Sequence, residues 1–409
     1  MKSFNMGQYQ VYAWKGVNRW GKKAKGVIVA DSAVSAENET RRLGVTISYF
    51  KRRPMWMLTG AVIKKIKVID IVLMMRQFST LISAGIPISQ AIEMMSNGVE
   101  KVKMRALLLT LRDNIAGGQT LSEAFAMYPA FFSNLICGLI NAGEKSGTLD
   151  KMLIEVANYL ERQEFLKNRI KKALYYPITV TCIALTIGIG LLVFVVPQFE
   201  KMYASFNAKL PTFTQKIVDL SHTIVDNWWV IIIVIMGIVF VFRQLKRKST
   251  AFQRMLDSLA LHMIIFGKLA HKAILARICS TLAITLTAGV PLIDALQSVA
   301  KVANNHWYRD AILNVREEVV QGESISLAMR STQMFPALLC QMIEIGEKSG
   351  SLDQMLNKMG VFYSDDVNTA VEGLTTLIEP ILIVILGTVV GVFLFAMYLP
   401  LFKLGSVIK

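Results

Sequence analysis

The chain is poor in the residues that most often carry chemistry. Its 409 residues include four histidines, His222, His262, His271 and His306, and four cysteines, Cys137, Cys182, Cys279 and Cys340. The histidines show neither HxxxH nor HExxH spacing and no two cysteines form a CxxC pair, so neither a zinc site nor a disulfide framework is expected. A GxSxG serine nucleophile motif is absent too. The long apolar runs lack ionisable residues, whereas a proton or ion pathway places carboxylates there. Glu379 stands only at the edge of one run, beside Pro380. The first residues are polar and mixed, without the short apolar core of a secretory signal, so none is expected. Gly16-x-x-x-x-Gly21-Lys22 imitates a phosphate-binding loop, but Lys23 stands where Ser or Thr must offer a hydroxyl to Mg²⁺. A turn between two short strands is expected there, and no cofactor and no enzymatic activity.

Acidic residues are scarce near the N-terminus. Residues 1–67 hold 14 Lys/Arg against 3 Asp/Glu, much of the chain's net charge of +16. A basic arm suits nucleic acid or anionic lipid, and Trp14, Trp20, Tyr49 and Trp56 are interleaved with its cations. A solvated face beside a membrane explains the charge as well, and nucleic acid is not the expected partner. Gln8–Trp14 and Gly26–Ala30 are expected as strands, Ala33–Leu43 as a short helix closed by Gly44, and Arg52-Arg53-Pro54 as a linker.

What the chain has in abundance is apolar residues, 53% of the total, and an internal repeat. Gly143–Asp150 reads GEKSGTLD and Gly346–Asp353 reads GEKSGSLD. Around them Ala84-Gly85-Ile86-Pro87 matches Ala288-Gly289-Val290-Pro291, Gly118-Gln119-Thr120 matches Gly322-Glu323-Ser324, and Pro177 and Pro197 match Pro380 and Pro400. Pro129 is paired with Pro336 on the same basis. The chain is two copies of one unit, each a polar helical part followed by an apolar span.

In the first copy Ile71, Met75, Phe78 and Ile82 form one helical stripe, which Gly85 stops. Pro87 opens the next helix, whose stripe is Ile88, Ala91, Ile92 and Met95. Leu292, Ala295, Leu296 and Val299 repeat it. Thr120-x-x-Glu123 has the form of a capping box, and a long helix is expected from about Leu149 towards Tyr175. Two similar small bundles follow.

Length predicts three spans. Pro177–Val196 and Pro380–Phe402 are uncharged, the first about 30 Å long as a helix. Trp228–Phe242 is shorter, but indoles at one end and Arg243, Lys246, Arg247 and Lys248 at the other favour a crossing. Arg162, Lys167, Arg169, Lys171 and Lys172 precede the first span, whereas residues 197–227 hold only Lys201, Lys209 and Lys216. Both bundles are therefore expected in the cytoplasm. Gly387-x-x-x-Gly391 and Ala184-x-x-x-Gly188 would allow close helix packing within the spans.

The repeated turn carries acids, Glu144 with Asp150 and Glu347 with Asp353. They could form a cation or partner site. They also suit a tight turn, with Gly147 and Gly350 giving backbone freedom and Asp at a helix N-terminus. That structural reading covers every residue of Gly143–Asp150 and Gly346–Asp353 except Glu144, Lys145 and their equivalents.

These turns, together with Arg76-Gln77-Phe78 before Ala84-Gly85-Ile86-Pro87, Tyr176-Pro177, Val196-Pro197-Gln198-Phe199 and the C-terminal MYLPLFKLG of Met397–Gly405, resemble the PilC/GspF family. Its members are inner-membrane platform proteins of type IV pilus assembly and type II secretion. The last string and Trp14-Lys15-Gly16 look more like the pilus branch. The resemblance implies an all-α membrane protein with a small N-terminal α/β element, self-association, and no enzymatic activity. The implied partners are a hexameric assembly ATPase, pilin subunits, other inner-membrane pilus assembly proteins and membrane lipid. The expected order is a basic α/β segment and linker over 1–60, a cytoplasmic bundle over 68–175, a span over 177–196 and a periplasmic loop over 197–227. A span over 228–245, a second cytoplasmic bundle over 251–379 and a span over 380–402 complete it. The type II secretion platform is the alternative, and an oligomeric channel or transporter a remoter one.

Overall fold

The computed structural model describes residues 9–18, 20–42, 44–52, 66–205, 212–263 and 266–407. The expected linker at Arg53-Pro54, Trp56, Lys209 and the last two residues of the tail lie outside them. The N-terminal segment is a three-stranded antiparallel sheet in the order β2-β1-β3, made of β1 (Gln10–Asn18), β2 (Lys23–Ala30) and β3 (Val45–Arg52). Helix α1 (Ala33–Arg42) joins β2 to β3. The phosphate-loop imitation is resolved by this sheet. Gly16 sits at a register shift in β1, where a Cβ would come within 2.3 Å of the Thr46 carbonyl oxygen. Gly21 supplies the positive φ of the β1–β2 turn, whose Lys22 and Trp20 amides donate to the Asn18 side chain.

Alternation along β1 serves two cores. Tyr12 and Trp14 pack with Ile28, Ala36 and Val45, while Tyr9, Val11 and Val29 pack on Val102, Ala106 and Leu109. Those last three belong to α4 (Val102–Ala116), which follows α2 (Val68–Ser83) and α3 (Ile88–Gly98). Trp14 is therefore a core residue, unavailable for stacking on a base. β3 was not expected: Val45–Arg52 mixes polar and basic residues, and it takes its place by antiparallel pairing with β1.

The helical repeats follow the sequence closely where glycine and proline punctuate it. The stripes of α2 and α3 are buried as Ile71, Met75 and Phe78 and as Ala91, Ile92 and Met95, and Ala295, Leu296 and Val299 are buried in the second copy. The first repeat continues through α5 (Leu121–Ala126), α6 (Asn134–Ser146) and α7 (Leu149–Gly190). The capping box forms: Glu123 N–H donates to the Thr120 hydroxyl at 3.2 Å, and Thr120 N–H to the Glu123 carboxylate at 3.1 Å.

Helix α7 runs through Pro177 without a break and passes by one π-helical turn, Leu191–Val195, into α8 (Val196–Ser205). Then come α9 (Thr212–Asp226), α10 (Trp228–Lys248) and α11 (Thr250–His262). The segment expected as a loop over 197–227 is thus helical among its described residues, except for the bend at Asn227. The second repeat is α12 (Phe266–Thr287), α13 (Leu292–Val302), α14 (His306–Val320), α15 (Ile325–Ser331), α16 (Ala337–Ser349) and α17 (Leu352–Val407). Ser133 and Pro336 occupy the same position, immediately before α6 and α16. Pro336 therefore matches Ser133, not Pro129.

The expectation of three spans is corrected. Among the described residues four helical stretches are long and apolar enough to cross a membrane: Leu149–Gln198, Trp228–Lys248, Gly267–Thr287 and Leu352–Ala396. Gly267–Thr287 escaped notice because Lys268, Lys272 and Arg277 break it into short uncharged pieces. Its apolar window is 56% buried within the protein, against 6% or less in the other three. The all-α character and the small N-terminal sheet stand.

The chain divides into two compact units. One holds residues up to Phe165, Ile278–Val302 and Ile312–Met359; the other holds Leu166–Arg277, Ala303–Ala311 and Gly360–Lys409. The first has the main apolar core, centred on Met75, Phe78, Ile92, Leu107, Phe125, Leu139 and Val156, with Ile284 of α12 among its members.

Candidate functional site: the duplicated turn and the apolar helices

The repeated octapeptide is a helix-to-helix junction in which each residue has a physical task. Gly143 and Gly346 lie inside α6 and α16, one turn before their ends. A Cβ on Gly143 would meet Met152 Cγ at 2.7 Å, and one on Gly346 would meet Leu352 Cα at 2.9 Å, so only glycine lets the outgoing helix approach. The carbonyl of Gly143 accepts from the amides of Gly147 and Thr148, and that of Gly346 from Gly350 and Ser351. This is the bonding of a Schellman-type end, and it needs the left-handed φ of +70° at Gly147 and +66° at Gly350. Hydroxyls brace both turns, Ser146 with Thr148 at 2.7 Å and Ser349 with Ser351 at 2.6 Å. Asp150 and Asp353 stand in the first turns of α7 and α17, where the helix dipole favours an acid. Lys145 and Lys348 stand in the last turns of α6 and α16, where it favours a cation.

The residues that the sequence left without a task are Glu144 and Glu347. Glu144 accepts from the backbone N–H groups of Leu121 and Ser122 at 2.7 and 3.1 Å. Glu347 accepts from Ile325 and Ser326 at 2.6 and 3.1 Å. Each carboxylate therefore caps the short helix that opens 22 or 23 residues earlier, satisfying two amides that no helical carbonyl can reach. Charge-assisted bonds of this kind are the stronger class. Thr120 and Ser324 satisfy a third amide, those of Glu123 and Leu327. Sequence reading missed this because the partners are distant in the chain. The usable signal was that both copies pair the turn glutamate with a Thr/Ser-x-Ser start at nearly constant separation.

With both oxygens of each glutamate engaged, the acids of the turn do not converge on a vacant point. Among the described residues no group of three His, Cys, Asp or Glu side chains could hold a metal ion. The thiols of Cys137 and Cys340 are pushed up by burial, which disfavours the reactive thiolate. The Tyr9 phenol is pushed well above its ordinary value, first by burial and then by its bond to Asp113.

The apolar helices expose large side chains along most of their length, including Ile183 and Leu185 on α7, Phe194 in the π turn that follows it, Ile233, Met236 and Phe240 on α10, and Ile383, Val384 and Phe395 on α17. Such surfaces suit lipid, not water. Ala184 and Gly188 line a groove of about 460 Å³ with Leu382, Leu386 and Val389. Gly387 and Gly391 do not line it: both are exposed, and nothing lies within 4 Å of a Cβ placed on either. Amphipathic α9 lines the groove as well, with Ile217. Its Ser221 hydroxyl donates to the Leu192 carbonyl in the π turn at 2.5 Å, and its Thr214 hydroxyl donates to the Ala396 carbonyl at 2.8 Å. Below the apolar stretch Arg169 of α7 meets Glu372 of α17 at 2.8 Å.

A duplicated helical unit, a capped junction in each copy and long lipid-facing helices define a multi-pass membrane protein built by internal repetition. Comparison with known sequences then gives the family. The profile of type II secretion system protein F matches residues 74–197 and again 278–400, one match per repeat, and the chain belongs to that family. It is 39% identical over 399 residues to the type IV pilus assembly protein TapC of Aeromonas hydrophila, covering 97% of this chain and 96% of that one. It is 41% identical over 346 residues to the type IV pilus assembly protein PilC of Pseudomonas aeruginosa, covering 84% and 92%. The type II secretion system protein F of Xanthomonas campestris pv. campestris is 32% identical over 333 residues, covering 81% and 82%.

Proposed function

We infer that this chain is a non-enzymatic inner-membrane platform of type IV pilus assembly. The observation that carries the reading is near full-length similarity to two pilus assembly proteins at 39–41% identity. The lower identity to a secretion-system protein makes the type II platform the second reading. In this role the helical repeats face the cytoplasm and receive motion from an assembly ATPase, and the apolar helices engage pilin subunits. The cation clusters Arg162–Lys172 and Arg243–Lys248 support this orientation, since cations are enriched on the cytoplasmic side of membrane spans. Other pilus assembly proteins share the platform, and it works as a homo-oligomer.

Transmission runs through continuous helices. Leu153, Val156 and Ala157 of α7 are fully buried in the bundle core, and the same helix continues unbroken to Gly190 among exposed apolar residues. Helix α17 repeats the arrangement from Leu356 onward. A flexible Gly/Ser insertion beside Lys172 tests this. The expected result is a correctly inserted protein that still binds its ATPase but assembles no pili. Normal piliation would show that rigid transmission is not the mechanism.

A further inference from the structure

The two repeats are alike in sequence but not in what covers them. On α12, Arg277, Ser280, Thr281 and Ile284 form one stripe at helical spacing, and the last three are buried. The first repeat covers this stripe. The Thr281 hydroxyl meets the Tyr159 phenol of α7 at 3.3 Å, and Ile284 joins the first repeat's core. The matching stripe on α2 is Leu73, Arg76, Gln77 and Thr80, and all four are exposed, Leu73 by 57%. A cavity of about 630 Å³ opens beside it, walled by Met74, Leu81, Met94 and Met95. Arg76, held by Glu161 of its own chain, stands at the rim.

The opposing face is unmatched in the same way. Glu155, Asn158 and Tyr159 on α7 are half-buried, whereas their equivalents on α17, Lys358, Val361 and Phe362, are all exposed. A two-fold pairing of the repeats would make each contact twice. Among the described residues it is made once. The contact between repeats is head-to-tail, and it leaves one socket on α2 and one plug on α17. On the plug face Asn158 and Tyr159 give the more apolar Val361 and Phe362; on the socket stripe Arg277 gives Leu73, while Ser280 and Ile284 give the more polar Arg76 and Thr80.

We propose that Val361 and Phe362 of one chain enter the α2 cavity of a second copy, repeating between molecules the contact that Tyr159 makes within one. The inference rests on the repeat geometry alone, so its failure would leave the pilus reading untouched. The test uses full-length protein in membranes with the exposed Cys182 replaced by serine. Chains carrying only Gln77→Cys and differently tagged chains carrying only Phe362→Cys are co-expressed and oxidised. The expected product is a covalent dimer bearing both tags, formed by neither chain alone and lost when Leu73→Lys is added to the first. A chain carrying both cysteines should give a ladder of multimers. A Phe362→Cys homodimer, an internal crosslink without the mixed dimer, or no crosslink at all would overturn the proposal.

Discussion

Glu144 and Glu347 show how one side chain can hold three helices together. Each sits near the end of one helix, caps a second and precedes the turn into a third. Replacing Glu144 by alanine leaves the amides of Leu121 and Ser122 without their acceptor, at a cost of about 1–3 kcal/mol. Hydrogen exchange at those two amides should rise by about one to two orders of magnitude, while the Ile325 and Ser326 amides stay protected. Glu144→Gln keeps one good acceptor and should fall between. An unchanged exchange rate at Leu121 would show that the cap contributes nothing. The same residue marks the limit of reading from sequence. Gly147 and Gly350 were legible because a helix end is a local event, whereas the task of Glu144 depends on a chain segment more than 20 residues away.

At the scale of elements, Asp70 joins the start of α2 to the start of α4. Its carboxylate accepts from the Lys67 amide at 2.7 Å and pairs with Lys101. Burial alone would raise its pKa, but the Lys101 and Lys67 bonds outweigh that and hold it below the ordinary carboxylate value. A depressed pKa means that the pair contributes fully above the unfolded carboxylate value, near 4, and is lost as pH falls through the lower folded value. Thermal unfolding followed from pH 6 to pH 3 should therefore lose less stability in Asp70→Asn than in the parent. Equal acid sensitivity would remove Asp70 from the account. The helices of the repeats were readable because apolar stripes and Gly/Pro punctuation agree. β3 and α9 were not: each gains its place from partners elsewhere, β1 for the strand and the Leu192 and Ala396 carbonyls for the helix. The count of membrane-length helices failed for a related reason, since α12 carries its cations on an otherwise apolar helix.

Across the whole molecule, duplication was legible from eight residues, but the inequality of the copies was not. Arg76 and Ser280, or Tyr159 and Phe362, look like ordinary divergence until their surroundings are known. The π turn at Leu191–Val195 carries a further consequence. Such a turn houses one residue more than an α-helical ladder requires, so deleting Phe194 should let the helix close up and rotate everything after it by about 100°. Val196 would swing away from Val218, the Leu192 carbonyl would be reclaimed by its own helix, and Ser221 would lose its acceptor. Cysteine pairs placed at Val196 and Val218 should crosslink in the parent and fail in the deletion. The surplus residue thus acts as a phase adjuster, setting which side of the rod greets its neighbour.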